Sequence, residues 1–181
     1  MIPQNTCAPV FFYGYCPLDA GFQVDPMDGG FHITLYADAR LVFEAVDLQG
    51  NVREQRIYDL APSMVEEYHA FLETNNNAIS SLPIRQGVEE NRMPRFRSSI
   101  GLQGFPFITC DDAAHLCHMP FSSVEGRNGR RLCVLLEDLA EVFTRFGVHF
   151  DLCSFEVDDS VVQPINQTPE MDTVWMTGSA S

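Results

Sequence analysis

The sequence contains no lysine. All 11 of its basic residues are arginine, set against 25 aspartates and glutamates, which leaves a net charge of −14. A body this acidic repels phosphate backbones, so general nucleic-acid binding is excluded. Long hydrophobic runs are missing too. None approaches the roughly 18–20 residues that a membrane helix needs, so no membrane span is expected. The 6 cysteines include no Cys-x-x-Cys pair. The opening MIPQNTCAPVFFYGY has no basic residue ahead of its short apolar run and does not read as a signal peptide. Together these predict reduced thiols and a cytoplasmic protein. Several catalytic frameworks are absent: Gly-x-Ser-x-Gly, the phosphate-binding Gly-x-x-x-x-Gly-Lys, Gly-x-Gly-x-x-Gly and His-Glu-x-x-His.

What the chain does have is core material. Apolar residues make up 45% of its 181 positions, 14 of them Phe. A chain of this size buries roughly 70% of the surface it exposes when unfolded, enough for one ordinary domain without staples. The stretch around 31–58 carries the strongest pattern. Phe31, Ile33 and Leu35 alternate with His32, Thr34 and Tyr36, the period of a strand. Leu41, Phe43 and Ala45 alternate with Val42, Glu44 and Val46. Apolar groups on both sides predict a central strand there. Gln49-Gly50-Asn51 supplies a turn. The charged Arg53-Glu54-Gln55-Arg56 suits a sheet edge, where charge discourages pairing with another molecule. The expected fold class is therefore α+β: a mainly antiparallel sheet opened by a meander over 31–58, with two principal helices packed on it.

The first helix is expected over about 63–74. Ser63 and Glu66 have the spacing of a capping box, and Met64, Val65, Tyr68, Phe71 and Leu72 form one stripe. The second is expected over about 135–146, on the stripe Leu135, Leu136, Leu139, Val142, Phe143 and Phe146, closed by Gly147. Val10–Cys16 and Val148–Val157 read as strands. Residues 96–109 read as one or two short strands broken at Gly104-Phe105-Pro106. Asn128-Gly129 between apolar runs predicts a hairpin. Asp111 or Asp112 is expected to cap a short helix through His118. Residues 1–157 form the domain. Residues 158–181 form a polar, acidic tail, disordered or draped on the body, whose lone Trp175 offers a docking point.

Two segments could carry chemistry. On a helix, Asp111, His115 and His118 would share a face, able to hold a divalent metal, with Cys110 and Cys117 as thiolate alternatives. The second is a basic island. Residues 1–84 hold 11 acids against 3 Arg, and residues 132–181 hold 9 against 1, whereas residues 85–131 hold 5 acids against 7 Arg. Within the island, Arg92, Arg95, Arg97, Arg127, Arg130 and Arg131 could form forked bonds to a phosphate or carboxylate. The expected function is a non-catalytic cytoplasmic binding or regulatory module acting on a protein partner or a small anion, without a cofactor. The alternatives are a metal-dependent enzyme built on 110–118 and a nucleotide or phosphate binder built on 92–131.

Overall fold

A computed structural model describes residues 7–17, 29–47, 49–86, 96–112, 127–151 and 154–165. Nine strands and three helices occur among them: β1 (Pro9–Pro17), β2 (Gly30–Tyr36), β3 (Arg40–Val46), β4 (Val52–Asp59), α1 (Ser63–Thr74), α2 (Asn76–Ser80), β5 (Arg85–Gln86), β6 (Phe96–Leu102), β7 (Ile108–Asp112), α3 (Arg127–Thr144), β8 (Val148–Phe150) and β9 (Phe155–Val157). The main sheet has seven strands in the order β4-β3-β2-β1-β6-β7-β5. β8 and β9 form a separate hairpin. Pairing in the main sheet is antiparallel except for the short β5, which runs parallel to β7. The fold is α+β with a mainly antiparallel sheet, and the 31–58 meander is its β2–β4 half.

The centre of the sheet is β1, not β3. β1 pairs with β2 on one side and β6 on the other, whereas β3 stands next to the edge strand β4. The apolar character of Val42 and Val46 marks partial cover on a sheet face. It says nothing of a strand's rank in the sheet, which long-range pairing decides.

One face of this sheet makes the core. Phe11, Tyr13, Phe31, Ile33, Leu35, Leu41, Phe43, Ile100, Leu102 and Ile108 cluster with Met64, Tyr68, Phe71 and Leu72 of α1 and with Leu132, Leu135, Leu136, Leu139 and Phe143 of α3. The α3 stripe begins at Leu132, so Asn128-Gly129 lies in the first turn of a helix and no hairpin forms there. Burying a stripe of five large side chains outweighs the turn preference of two residues. The capping box of α1 also does not form: Pro62 takes the N-cap position, without a side-chain cap bond. Its ring fixes φ near the helical value, so the first turn is preset without Ser63. Gly147 ends α3's connection at φ +85°, a left-handed conformation that glycine adopts freely.

Three further expectations change. Val148–Val157 holds two antiparallel strands rather than one, and between them Asp151 Oδ1 accepts from both the backbone N–H (2.9 Å) and the hydroxyl (2.7 Å) of Ser154. Asp111 and Asp112 belong to β7, and the helix expected through His118 falls outside the described residues. In register, Asp111 stands opposite Arg97 of β6 and Asp112 opposite Phe96. Of the segment after 157, the first part lies on the body: Val162 is 3% exposed within the core, and Pro164 pairs with Tyr58. Trp175 lies outside the described residues. Among the described residues no helix is long and apolar enough to cross a membrane.

Candidate functional site

The opposite face of the sheet contributes none of Phe12, His32, Thr34, Val42 or Glu44 to that core. Strand alternation produces this face directly: Phe12 and Gly14 lie between Phe11, Tyr13 and Tyr15 along β1. Antiparallel register then arranges the face in rows across the strands. One row runs Ile57, Val42, Thr34, Phe12, Gly101. The next runs Gln55, Glu44, His32, Gly14, Ser99, Thr109. The first row is mainly apolar and the second mainly polar. In the polar row Gln55 Nε2 donates to Glu44 Oε2 at 3.1 Å, and Glu44 Oε1 lies 4.0 Å from His32 Nδ1.

Two glycines shape the middle of the face. A Cβ on Gly14 would lie 3.0 Å from the Phe12 ring and 3.2 Å from the His32 ring. One on Gly101 would lie 3.1 Å from the Phe107 ring. The missing side chains let Phe12 and Phe107 lie close against bare backbone. The two ring centroids are 5.8 Å apart, and His32 lies 5.3 Å from Phe12 on the other flank. Phe107 is 51% exposed, although it is a large apolar side chain. The result is a small aromatic plate bordered by a carboxylate–imidazole pair. Such a plate offers ring contact and apolar area, and its polar border offers hydrogen bonds of fixed direction.

The arginine island is dispersed where it is described. Arg97 lies on β6 in register with Cys16 and Asp111. Arg131 lies on α3, across the core, and donates to Ser81 Oγ. Arg127 and Arg130 occupy the first turn of α3. Arg92 and Arg95 lie outside the described residues. Of the 110–118 cluster, Cys110 is 2% exposed within the core. His115, Cys117 and His118 lie outside the described residues. Among the described residues no three His, Cys, Asp or Glu side chains gather as metal ligands.

Burial shifts two groups near the sheet, Cys16 and Tyr68. Desolvation pushes the Cys16 thiol up from its ordinary value, and Arg97 pulls it only part of the way back. A reactive thiolate requires the opposite shift. Burial pushes the Tyr68 hydroxyl up as well. It donates to the Val10 carbonyl at 2.6 Å and accepts from the Gln103 N–H at 3.4 Å, tying α1 to β1 and to the β6–β7 turn. The alternation Phe12-x-Gly14 is visible in the sequence, but only register sets Gly101 opposite Phe12 and Gly14 opposite Ser99. No protein-family model and no curated protein matches the chain.

Proposed function

We propose that this protein is a non-catalytic binding module whose recognition surface is the outer face of the sheet, centred on Phe12 and Phe107. The observation that carries the reading is the half-exposed Phe107 ring lying over Gly101 beside Phe12. A monomeric surface seldom presents adjoining aromatic rings without use, and aromatic residues are enriched at the centres of interfaces. The ligand that fits is a protein partner presenting a flat apolar side chain, with a polar group in reach of His32 and Glu44. A cytoplasmic location suits Cys7, Cys16, Cys110 and Cys133, which are thiols rather than disulfides.

The test is an amide NMR titration with indole and, separately, with inorganic phosphate. Indole is expected to shift the resonances of Phe12, His32, Gly101 and Phe107, and Phe107→Ala is expected to remove the effect. Shifts confined to Arg97 and seen only with phosphate would replace this reading with a small-anion site. No response on this face to either probe would end it.

A further inference from the structure

Beyond the apolar row of the outer face lies a third row, Asp59, Arg40 and Tyr36. Arg40 alternates with Val42 and Glu44 along β3, and Tyr36 with Thr34 and His32 along β2, so both belong to the face that carries Phe12. The Arg40 guanidinium lies 4.5 Å over the centre of the Tyr36 ring, which fixes its plane. Its Nε is buried and bonds nothing. The two Nη groups bond nothing either, and solvent reaches them. The other arginines whose side chains are described are engaged. Arg56, Arg131 and Arg145 pair with Glu54, Ser81 and Glu67, and Arg53 and Arg97 interact with Asp47 and Cys16. Among the described residues no carboxylate forms an ion pair with Arg40. Asp59 stands opposite it in register, and Asp38 Oδ1 accepts instead from its backbone N–H at 3.1 Å. A buried donor left unmatched in a folded protein calls for a reason, and here Tyr36 holds the side chain with its outer end free.

Resting on the aromatic plate as the recognition surface, we infer that Arg40 is its anion subsite, and that the partner's segment carries a carboxylate as well as a flat apolar side chain. A carboxylate takes a forked pair of bonds from the two free Nη groups, in the plane that Tyr36 sets. Its single charge fits this place better than a phosphate dianion does, because Asp38 and Asp59 stand beside Arg40 and the chain carries −14. Spacing sets the rest. Arg40 stands two strands across from Phe12 and one row further along. That is roughly 12 Å at the backbone, for strands about 4.8 Å apart with a rise of about 3.3 Å per residue. An extended segment with its apolar and acidic residues three positions apart spans about 10 Å, and the side chains make up the difference. Glu44 stands on the far side of the apolar row. The face is therefore positive at one border and negative at the other, which fixes the direction in which such a segment lies.

Two peptides test this by NMR titration of the full chain: acetyl-Trp-Gly-Gly-Asp-amide and its counterpart ending in Asn-amide. The acidic peptide is expected to bind about tenfold tighter, to move the Arg40 side-chain Nε–H resonance, and to lose its advantage as salt is raised. Arg40→Gln is expected to bring the acidic peptide down to the neutral peptide's affinity. It should leave the neutral peptide's binding and the Ile33 and Leu35 amides unchanged, which shows that the fold persists. Phe107→Ala is expected to weaken both peptides alike. Equal affinity of the two peptides for the unaltered protein, with Phe12 and Phe107 shifted, would overturn the Arg40 subsite and leave the plate standing; that comparison needs no variant. A preference for the acidic peptide that survives Arg40→Gln would overturn the subsite too, because the carboxylate would then lie elsewhere. Silence from Phe12 and Phe107 with both peptides would end the plate as well.

Discussion

The Tyr68 hydroxyl donates to the Val10 carbonyl at 2.6 Å, joining the first helix to the central strand inside the core. Both residues are buried. Tyr68→Phe removes one of two donors to the Val10 carbonyl, which keeps the Gln103 N–H at 3.2 Å, so the expected cost is that of one hydrogen bond, about 0.5–1.5 kcal/mol. The urea midpoint is expected to fall by the corresponding amount with an unchanged slope. The pH dependence has a definite sign. Burial raises the hydroxyl's pKa in the folded state, so this contribution is fully present below the unfolded value near 10 and is lost as pH rises above it. Wild-type stability should therefore decline from about pH 10 upward, and part of that decline should vanish in Tyr68→Phe.

Phe11 and Phe12 are neighbours with opposite fates. Phe11 is 1% exposed and packs among Tyr68, Phe143 and Phe150, whereas Phe12 lies on the outer face. Phe11→Ala should cost about 3–5 kcal/mol, the range for a large core truncation. Phe107→Ala, removing the exposed ring of the plate, should cost less than ~1 kcal/mol. Chemical denaturation of the two variants measures this contrast directly.

Asp47 organises the β3–β4 turn. Its Oδ1 accepts from the N–H groups of Gln49 (2.9 Å) and Asn51 (2.8 Å). The bonds to Asn51 lead the causes that hold its carboxyl below the ordinary value. The stabilisation is present above the unfolded carboxylate pKa and is lost as pH falls through the lower folded one. An NMR titration should show this carboxyl titrating below an exposed model aspartate. Asp47→Ala should speed exchange of the Asn51 amide.

Arg145 and Glu67 join α3's end to α1 with Nη2 and Oε1 2.7 Å apart, at an exposed site. Water and salt screen such a pair, so Arg145→Ala should change stability by no more than about 1 kcal/mol. A thermal melt in low and high salt should find the small difference smaller still in high salt.

Much of the architecture is legible along the chain. Alternation in Phe31–Tyr36 and Leu41–Val46, and the stripes Met64–Leu72 and Leu135–Phe143, are local signals whose meaning does not depend on partners. The errors arise where local preference competes with burial. Asn128-Gly129 favours a turn but is drawn into α3 by the stripe that follows, and the Ser63/Glu66 spacing is superseded by Pro62. The candidate site was much less legible. The arginines of residues 85–131 share one charge-biased block, yet Arg97 lies on β6 and Arg131 on α3, in different layers of the protein.

By itself the sequence determined that a mainly antiparallel sheet would pair with two amphipathic helices, because period and composition are properties of short segments. Only the tertiary structure decided that β1 is central, that its two faces divide Phe11 from Phe12, and that Gly101 comes to lie opposite Phe12 and against the Phe107 ring. Those outcomes depend on which distant strands pair and in what register, and a shift of one residue would exchange the faces entirely.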